Sequence, residues 1–290
     1  MKLLYAADLH TNRNHLGTLL GVAEREQVGA VVIGGDITPK DIFDTHGFAK
    51  LVIGQRKYLA NEFIPALRTF REKNSGTKVF LDLGNDDFSA NRDVLGKAEQ
   101  EGLFQLLHMA VHPLTDDLDI VGYMGVPITP FGIKDWEKPE KEGVFPPPES
   151  TTQGYVSTKE GGTGLLRRTI NVHEDPSIEE ELDEISQLIP FGLKPFIFIS
   201  HAPPHMTKLD CLYSGQHVGS VAVREFIEKW ANKGLLRASF HGHIHESPAV
   251  SGSDVDYIAG IECRNPGQTE KELRYALWEF DYPQELKPGR

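Results

Sequence analysis

Cysteine is nearly absent: of 290 residues only Cys211 and Cys263 carry thiols. That is too few for a disulfide framework, and the pair lacks the CxxC spacing of a zinc or thiol-redox motif. Both read as packed, reduced thiols in a reducing compartment. Nowhere do ~18 uncharged apolar residues run together, so no membrane-spanning helix is expected. The N-terminal run carries a single basic residue, Lys2, and ends at Asp8, shorter than the ~7–15 apolar residues of a secretory leader. It reads as a first strand, and a cytoplasmic location is the default expectation. Positive charge is scarce as well, since 30 Lys plus Arg stand against 42 Asp plus Glu for a net charge of −12. This balance gives no strong nucleic-acid signal and disfavours an anionic lipid surface, while leaving room for a local cationic site such as a bound metal pair. What remains, 39% hydrophobic and 25% charged, is an ordinary globular composition. A chain of this size typically buries roughly 75% of its unfolded surface. We read it as a single domain over residues 1–290 with a Pro/Gly-rich insertion at about 127–176.

The first third alternates short apolar runs with segments of helical period, the signature of βαβ units and a largely parallel sheet. Strands are predicted at residues 3–7, 30–33 and 78–83. Leu16, Leu19, Leu20 and Ala23 recur at helical spacing, and a longer helix is expected over 48–72. A hairpin (109–114 with 119–126) precedes a break in pattern. Residues 127–164 hold six Pro and six Gly with no convincing periodicity, an excursion whose length suggests a functional loop and a candidate lid. Its Gly161-Gly162-Thr163-Gly164 has no strand before it and no Lys after it, which argues against a P-loop. Regularity resumes at Ser177, three before Glu180 in a capping box ahead of Leu182, Ile185 and Leu188. A buried strand (195–200), a helix (221–232) and a strand (237–240) follow, and the last 45 residues read as β meander (249–251, 256–259, 273–280). The architecture should therefore be mixed α/β.

Each early strand ends in a polar turn: Asp8-Leu9-His10, Gly34-Gly35-Asp36 and Gly84-Asn85-Asp86. Two later strands end at His201 and at His241-Gly242-His243-Ile244-His245. Ligands of open α/β sheets bind beyond the carboxyl ends of the strands. Asp8 and His10, two apart, are a plausible chelating pair. Taken singly, each residue is equally compatible with a turn, a helix cap or a solvated surface. As an ordered set they offer carboxylate, amide and imidazole, an O/N donor chemistry suited to Mn, Fe, Zn or similar ions.

In these residues the chain resembles the calcineurin-like metallophosphoesterase superfamily. The pattern DxH, GD, GN followed by a lone His and GHxH runs in order from Asp8 to His245. The resemblance implies a four-layer αββα sandwich, two mixed sheets packed between helices. It implies two divalent metal ions (Mn, Fe, Zn or Ni), one held by Asp8, His10 and His245, the other by Asn85, His201 and His243, with Asp36 bridging. The implied activity is hydrolysis of a phosphodiester or phosphomonoester, a small ester or nucleotide, by in-line attack of a hydroxide between the metals.

One position departs from the pattern. Asp86 stands where the family usually carries a His held to protonate the leaving oxygen. An Asp, with a reference pKa of about 3.9, donates near neutrality only if burial or a neighbour such as Asp87 raises it. Three readings stay open: Asp86 is the acid, another His (His205, His46 or His15) substitutes, or the leaving group needs none. His205 is a proton-transfer candidate because it leaves the same strand as His201. Asn12 and Arg13 follow the first motif and are candidates for contact with substrate phosphate. No Asp-Arg-Gly segment follows Asp36 and no Tyr ligand stands there, so a stand-alone microbial phosphoesterase fits better than a protein phosphatase or a purple acid phosphatase. The alternative is a non-catalytic metal-binding scaffold on the same fold, in keeping with the missing His.

Overall fold

The computed structural model describes residues 1–39, 47–159, 161–189 and 194–280. His46 lies outside the described residues. Strands β1 (Lys2–Ala6), β2 (Ala30–Gly34), β3 (Lys78–Asp82) and β4 (Gln105–Leu106) lie side by side and parallel, and the final strand, Ala276–Glu279, pairs antiparallel with the free side of β1. Crossovers carry α1 (His15–Glu26), α2 (Phe48–Tyr58), α3 (Ile64–Lys73) and α4 (Arg92–Gln100). The expected long helix is thus α2 and α3, joined by a π-helical turn at Leu59–Phe63, and Pro65, which has no N–H to donate, follows directly on that widened turn.

The second sheet begins with the predicted hairpin, β5 (Ala110–Pro113) against β6 (Asp119–Tyr123). Short strands β7 (Val126–Pro127) and β8 (Glu137–Lys138) and a hairpin, β9 (Gln153–Ser157) with β10 (Leu165–Thr169), occupy the segment that shows no periodicity in the sequence. Their side chains are mostly half-exposed or exposed, so there is no apolar alternation to detect. Next come α5 (Ile178–Leu188), β11 (Phe196–Ser200), α6 (Val221–Asn232), β12 (Leu236–Phe240), α7 (Ser247–Ser251), β13 (Val255–Ile258), β14 (Ile261–Arg264) and β15, the final strand already placed. The six-stranded sheet runs β13-β14-β12-β11-β6-β5. The C-terminal meander is corrected in two ways. Residues 249–251 are helical, started by Pro248 and stopped by Gly252 in left-handed conformation, and β15 joins the first sheet rather than the second.

Two large mixed sheets therefore pack face to face between helices, and strand period two explains the layering. In β11, Ile197 and Ile199 join the core between the sheets, while Phe196 and Phe198 pack with Phe226 and Trp230 of α6 and with Leu182 of α5. On the outer side of the first sheet, Leu16 and Leu19 of α1 and Leu67 and Phe70 of α3 are buried. The capping box of α5 forms as its sequence dictates, Ser177 Oγ accepting from the Glu180 N–H and Glu180 from the Ser177 N–H.

The excursion after β6 is pinned to the body. Asp135 accepts from the Ser89 and Ser157 N–H groups, and the Phe48 and Tyr155 rings stack at 4.6 Å. Inside it, the buried Lys134 Nζ donates to Glu137 at 2.5 Å and to the Thr129 carbonyl at 2.9 Å. Burial, only partly offset by Lys134 and Thr129, pushes the Glu137 carboxyl from 4.5 up to about 7. A raised folded-state value means that this group adds stability below about pH 4.5 and that the contribution is lost as pH rises through about 7. Removing both partners together leaves no unpaired buried charge. The double variant Lys134→Met/Glu137→Leu should therefore lose less unfolding free energy between pH 4.5 and 7.5 than the parent, by up to about 3 kcal/mol in urea titrations.

Candidate metal centre

The predicted turns of both sheets converge. β1, β2 and β3 of one sheet and β11 and β12 of the other all present their carboxyl ends to one place. Backbone bonds tie the turns together: Asp8 N–H to the Gly35 carbonyl, His10 N–H to Asp36, and Gly242 N–H to His201. Asp8, Asp36 and His243 all adopt left-handed backbone, with φ of 58°, 52° and 67°. Non-glycine residues there cost of order 1–3 kcal/mol each and persist only where the surroundings enforce them. Two glycines make the approach possible. A Cβ on Gly35 would lie 2.6 Å from His201 Nδ1, and one on Gly84 would overlap the Asp36 carboxylate.

Donor atoms from Asp8, His10, Asp36 and His245 lie within 4.8 Å of one another. His10 Nε2 is 3.0 Å from His245 Nε2, and His245 Nε2 is 3.3 Å from Asp8 Oδ1. Burial raises the pKa of Asp8, but the imidazoles of His245, His201 and His10 outweigh it and hold the carboxyl well below the usual range. Asp36 is held low in the same way, against its burial, by His201 and His10. His201 responds in kind: burial disfavours its charge, yet Asp36 and Asp8 push it up to about 9. Two ionised carboxylates thus share a buried pocket with the imidazoles that hold them charged. His10 Nδ1 is buried without a hydrogen-bond partner, though it faces the carboxylates of Asp86 at 3.2 Å and Asp36 at 3.5 Å. This donor set fits a divalent metal ion.

Beside it stands a second group. His201 Nδ1 bonds the Gly34 carbonyl at 2.7 Å, a contact that keeps a proton on Nδ1 and leaves Nε2 as the nitrogen that would turn to a metal once its own proton is released. That Nε2 lies 3.0 Å from Asn85 Oδ1 and 3.4 Å from Asp36 Oδ2. The His243 ring is 5.4 Å from the His201 ring, and burial followed by repulsion from His201 pushes it down to about 4, so it stands neutral. All seven residues singled out in the sequence as ligands meet here, with Asp36 between the two groups.

The other candidates go to different places. Asp86 sits next to the cluster, its amide donating to Asp36 Oδ1 at 2.8 Å and its side chain accepting from Asn85. His205 lies 3.5 Å from Asp210, whose other oxygen holds His217 at 2.7 Å. His15 bonds the Thr269 carbonyl. Asn12 Nδ2 donates to the Glu270 carbonyl, and Arg13 pairs with Glu62 and lies over the Tyr58 ring.

Three residues hold the site in shape: Asp87, which the sequence offers only as a neighbour of Asp86, and Asn265 and Gln268, which the sequence reading passed over. Asp87, fully buried, accepts from the Ile37, Thr38 and Gly84 N–H groups and from the Thr38 hydroxyl. Burial and then Asp36 push its carboxyl up to about 7 against these donors. Asn265 Nδ2 faces the carbonyls of Leu209, Gly242 and Ile244 and so bolts down the turn that carries His243. Gln268 reaches the Ala7 carbonyl beside Asp8. An Asp following the GN turn was the one available signal.

Fold and donor set define a metal-binding α/β sandwich. A sequence profile of the calcineurin-like phosphoesterases matches residues 1–247, and the chain belongs to that family. Solved structures share its fold. The TT1561 protein of Thermus thermophilus superposes with a TM-score of 0.51 at 13% identity over 92% of this chain and 88% of that one. A dimetal phosphatase from Danio rerio does so with a TM-score of 0.53 at 12% identity over 96% and 91%. No curated protein matches by sequence. Among the described residues no helix is long and apolar enough to cross a membrane.

Proposed function

We propose that this chain is a single-domain hydrolase of small phosphoesters, diesters in preference to monoesters, working with two divalent metal ions. The observation that carries the reading is the convergence of Asp8, His10, Asp36 and His245 beside His201, Asn85 and His243 at the strand ends of both sheets. In this reading Asp8, His10 and His245 would hold one ion and Asn85, His201 and His243 the other, with Asp36 contributing its carboxylate between the two groups. Bound there, the metals would supply the positive field that draws in a phosphate anion and acidifies the attacking water. The chain's own contribution is preorganisation. Left-handed turns aim Asp8, Asp36 and His243, the Gly34 carbonyl fixes the His201 tautomer, and Asp87 and Asn265 prevent the turns from relaxing. Of the proton-transfer candidates, Asp86 rather than His205 stands beside the cluster, and we assign it the leaving-group side.

Purified protein is expected to hold about two metal ions per chain and to hydrolyse bis-p-nitrophenyl phosphate with Mn or Ni, with His243→Ala lowering the rate about 10²-fold. Elemental analysis alongside the assay checks this. Metal without turnover on any phosphoester would favour the second reading, a non-catalytic scaffold, which the Asp at position 86 recommends. Asp86→His provides a sharper test of the acid. It should raise turnover of an unactivated alkyl ester at least about tenfold and leave p-nitrophenyl esters nearly unchanged. An unchanged alkyl-ester rate would show that proton donation at this position is not limiting.

A further inference from the structure

A cavity of about 170 Å³ opens beside the metal centre, and His243 is part of its wall. Its lining comes from three segments: Ile128, Pro130, Phe131 and Pro147 from the excursion after β6, Leu212 and Val218 from the loop after β11, and Ile244 beside His243. Polar atoms are few, and the charged side chains are both acidic, Glu149 and Glu246. Among the described lining residues there is no Lys or Arg. The wall is also built to keep its shape. Thr129 at its corner is fixed by the buried Lys134–Glu137 pair, Glu137 accepting from the Thr129 N–H at 2.9 Å and from its hydroxyl at 2.5 Å.

From this arrangement we propose that the cavity is the subsite for the organic group of the phosphoester and that it selects an uncharged, largely apolar group about one ring in size. The proposal rests on the phosphoesterase reading and narrows its substrate class. A phosphoryl group held at the centre that His243 helps to form would direct its ester arm along the His243 wall into the cavity. The volume is close to that of a cavity of about 150 Å³ that accommodates benzene. A second phosphate or any polyanionic arm would find no cation there and would meet Glu149 and Glu246 instead. The excursion after β6 is accordingly a specificity wall.

Calorimetric titration of the metal-loaded protein with phenylphosphonate and methylphosphonate, whose P–C bonds are not hydrolysed, tests the assignment. Phenylphosphonate should bind about tenfold or more tightly, from the apolar area its ring buries. Val218→Trp, which fills the cavity, should bring the two affinities to near equality, chiefly by weakening phenylphosphonate. The half-exposed Phe131, replaced in Phe131→Ala, should cut the preference about threefold with little risk to folding. Equal affinities in the parent protein, or a preference that survives both substitutions, would overturn the subsite and leave the phosphoesterase reading standing. Tighter binding of phosphonoacetate than of phenylphosphonate would also overturn it. If neither phosphonate bound, both readings would fall together.

Discussion

Asp36→Asn is expected to lower phosphoester turnover about 10³-fold while the chain stays folded, since charge stabilisation by bound metal is worth several kcal/mol. The side chain accepts from the Asp86 N–H through Oδ1, and Asn retains that acceptor. What the substitution removes is the negative charge facing His201 at 3.4 Å and His10 at 3.5 Å. It also relieves repulsion from Asp8, which acts to raise the Asp36 pKa. Because His201 and His10 hold the Asp36 carboxyl low, the unliganded fold should lose part of that stabilisation near neutral pH, and the larger loss should fall on metal affinity and rate. Circular dichroism, metal content by elemental analysis and hydrolysis of bis-p-nitrophenyl phosphate separate these effects. Parent-like metal content together with parent-like turnover would remove Asp36 from the centre.

The second large effect concerns stability. Asp87→Ala should cost about 3–5 kcal/mol of unfolding free energy, because several buried donors lose the carboxylate that accepts from them at once. Those donors belong to two different turns, Ile37 and Thr38 after β2 and Gly84 after β3. Asp87→Asn should fall between the parent and Asp87→Ala, keeping one acceptor oxygen while turning an amide towards N–H groups. Urea midpoints measure the loss. In either variant metal affinity should decline as well, since the same turns carry Asp36 and Asn85. A midpoint shift in Asp87→Ala no larger than that of a surface substitution would show that water replaces the carboxylate without cost.

Much of the fold was legible from periodicity. Strands whose two faces are both buried appear as short apolar runs, so β1, β2, β3, β11 and β12 were located to within a residue or two, and the Ser-x-x-Glu box marked the start of α5. The segment after β6 was not legible. Its hairpin gains stability from Asp135 and from the Phe48–Tyr155 stack rather than from an apolar face, and neither contact leaves a local periodic trace. Residues 249–251 resemble a strand by composition, yet Pro248 and Gly252 set a single helical turn there.

The site divides along the same line. Residue order alone dictates which donors exist and that each follows a strand, because a ligand must leave the sheet at its carboxyl end and only a few residue types coordinate metals. How these turns are held together is settled by packing in three dimensions. Asp87 bridges turns about fifty residues apart, Asn265 clamps the turn of His243, and an apolar wall from one excursion stands against His243. Such roles depend on which loops meet when two sheets pack, and the free energy that selects them comes from contacts distant in sequence rather than from local pattern.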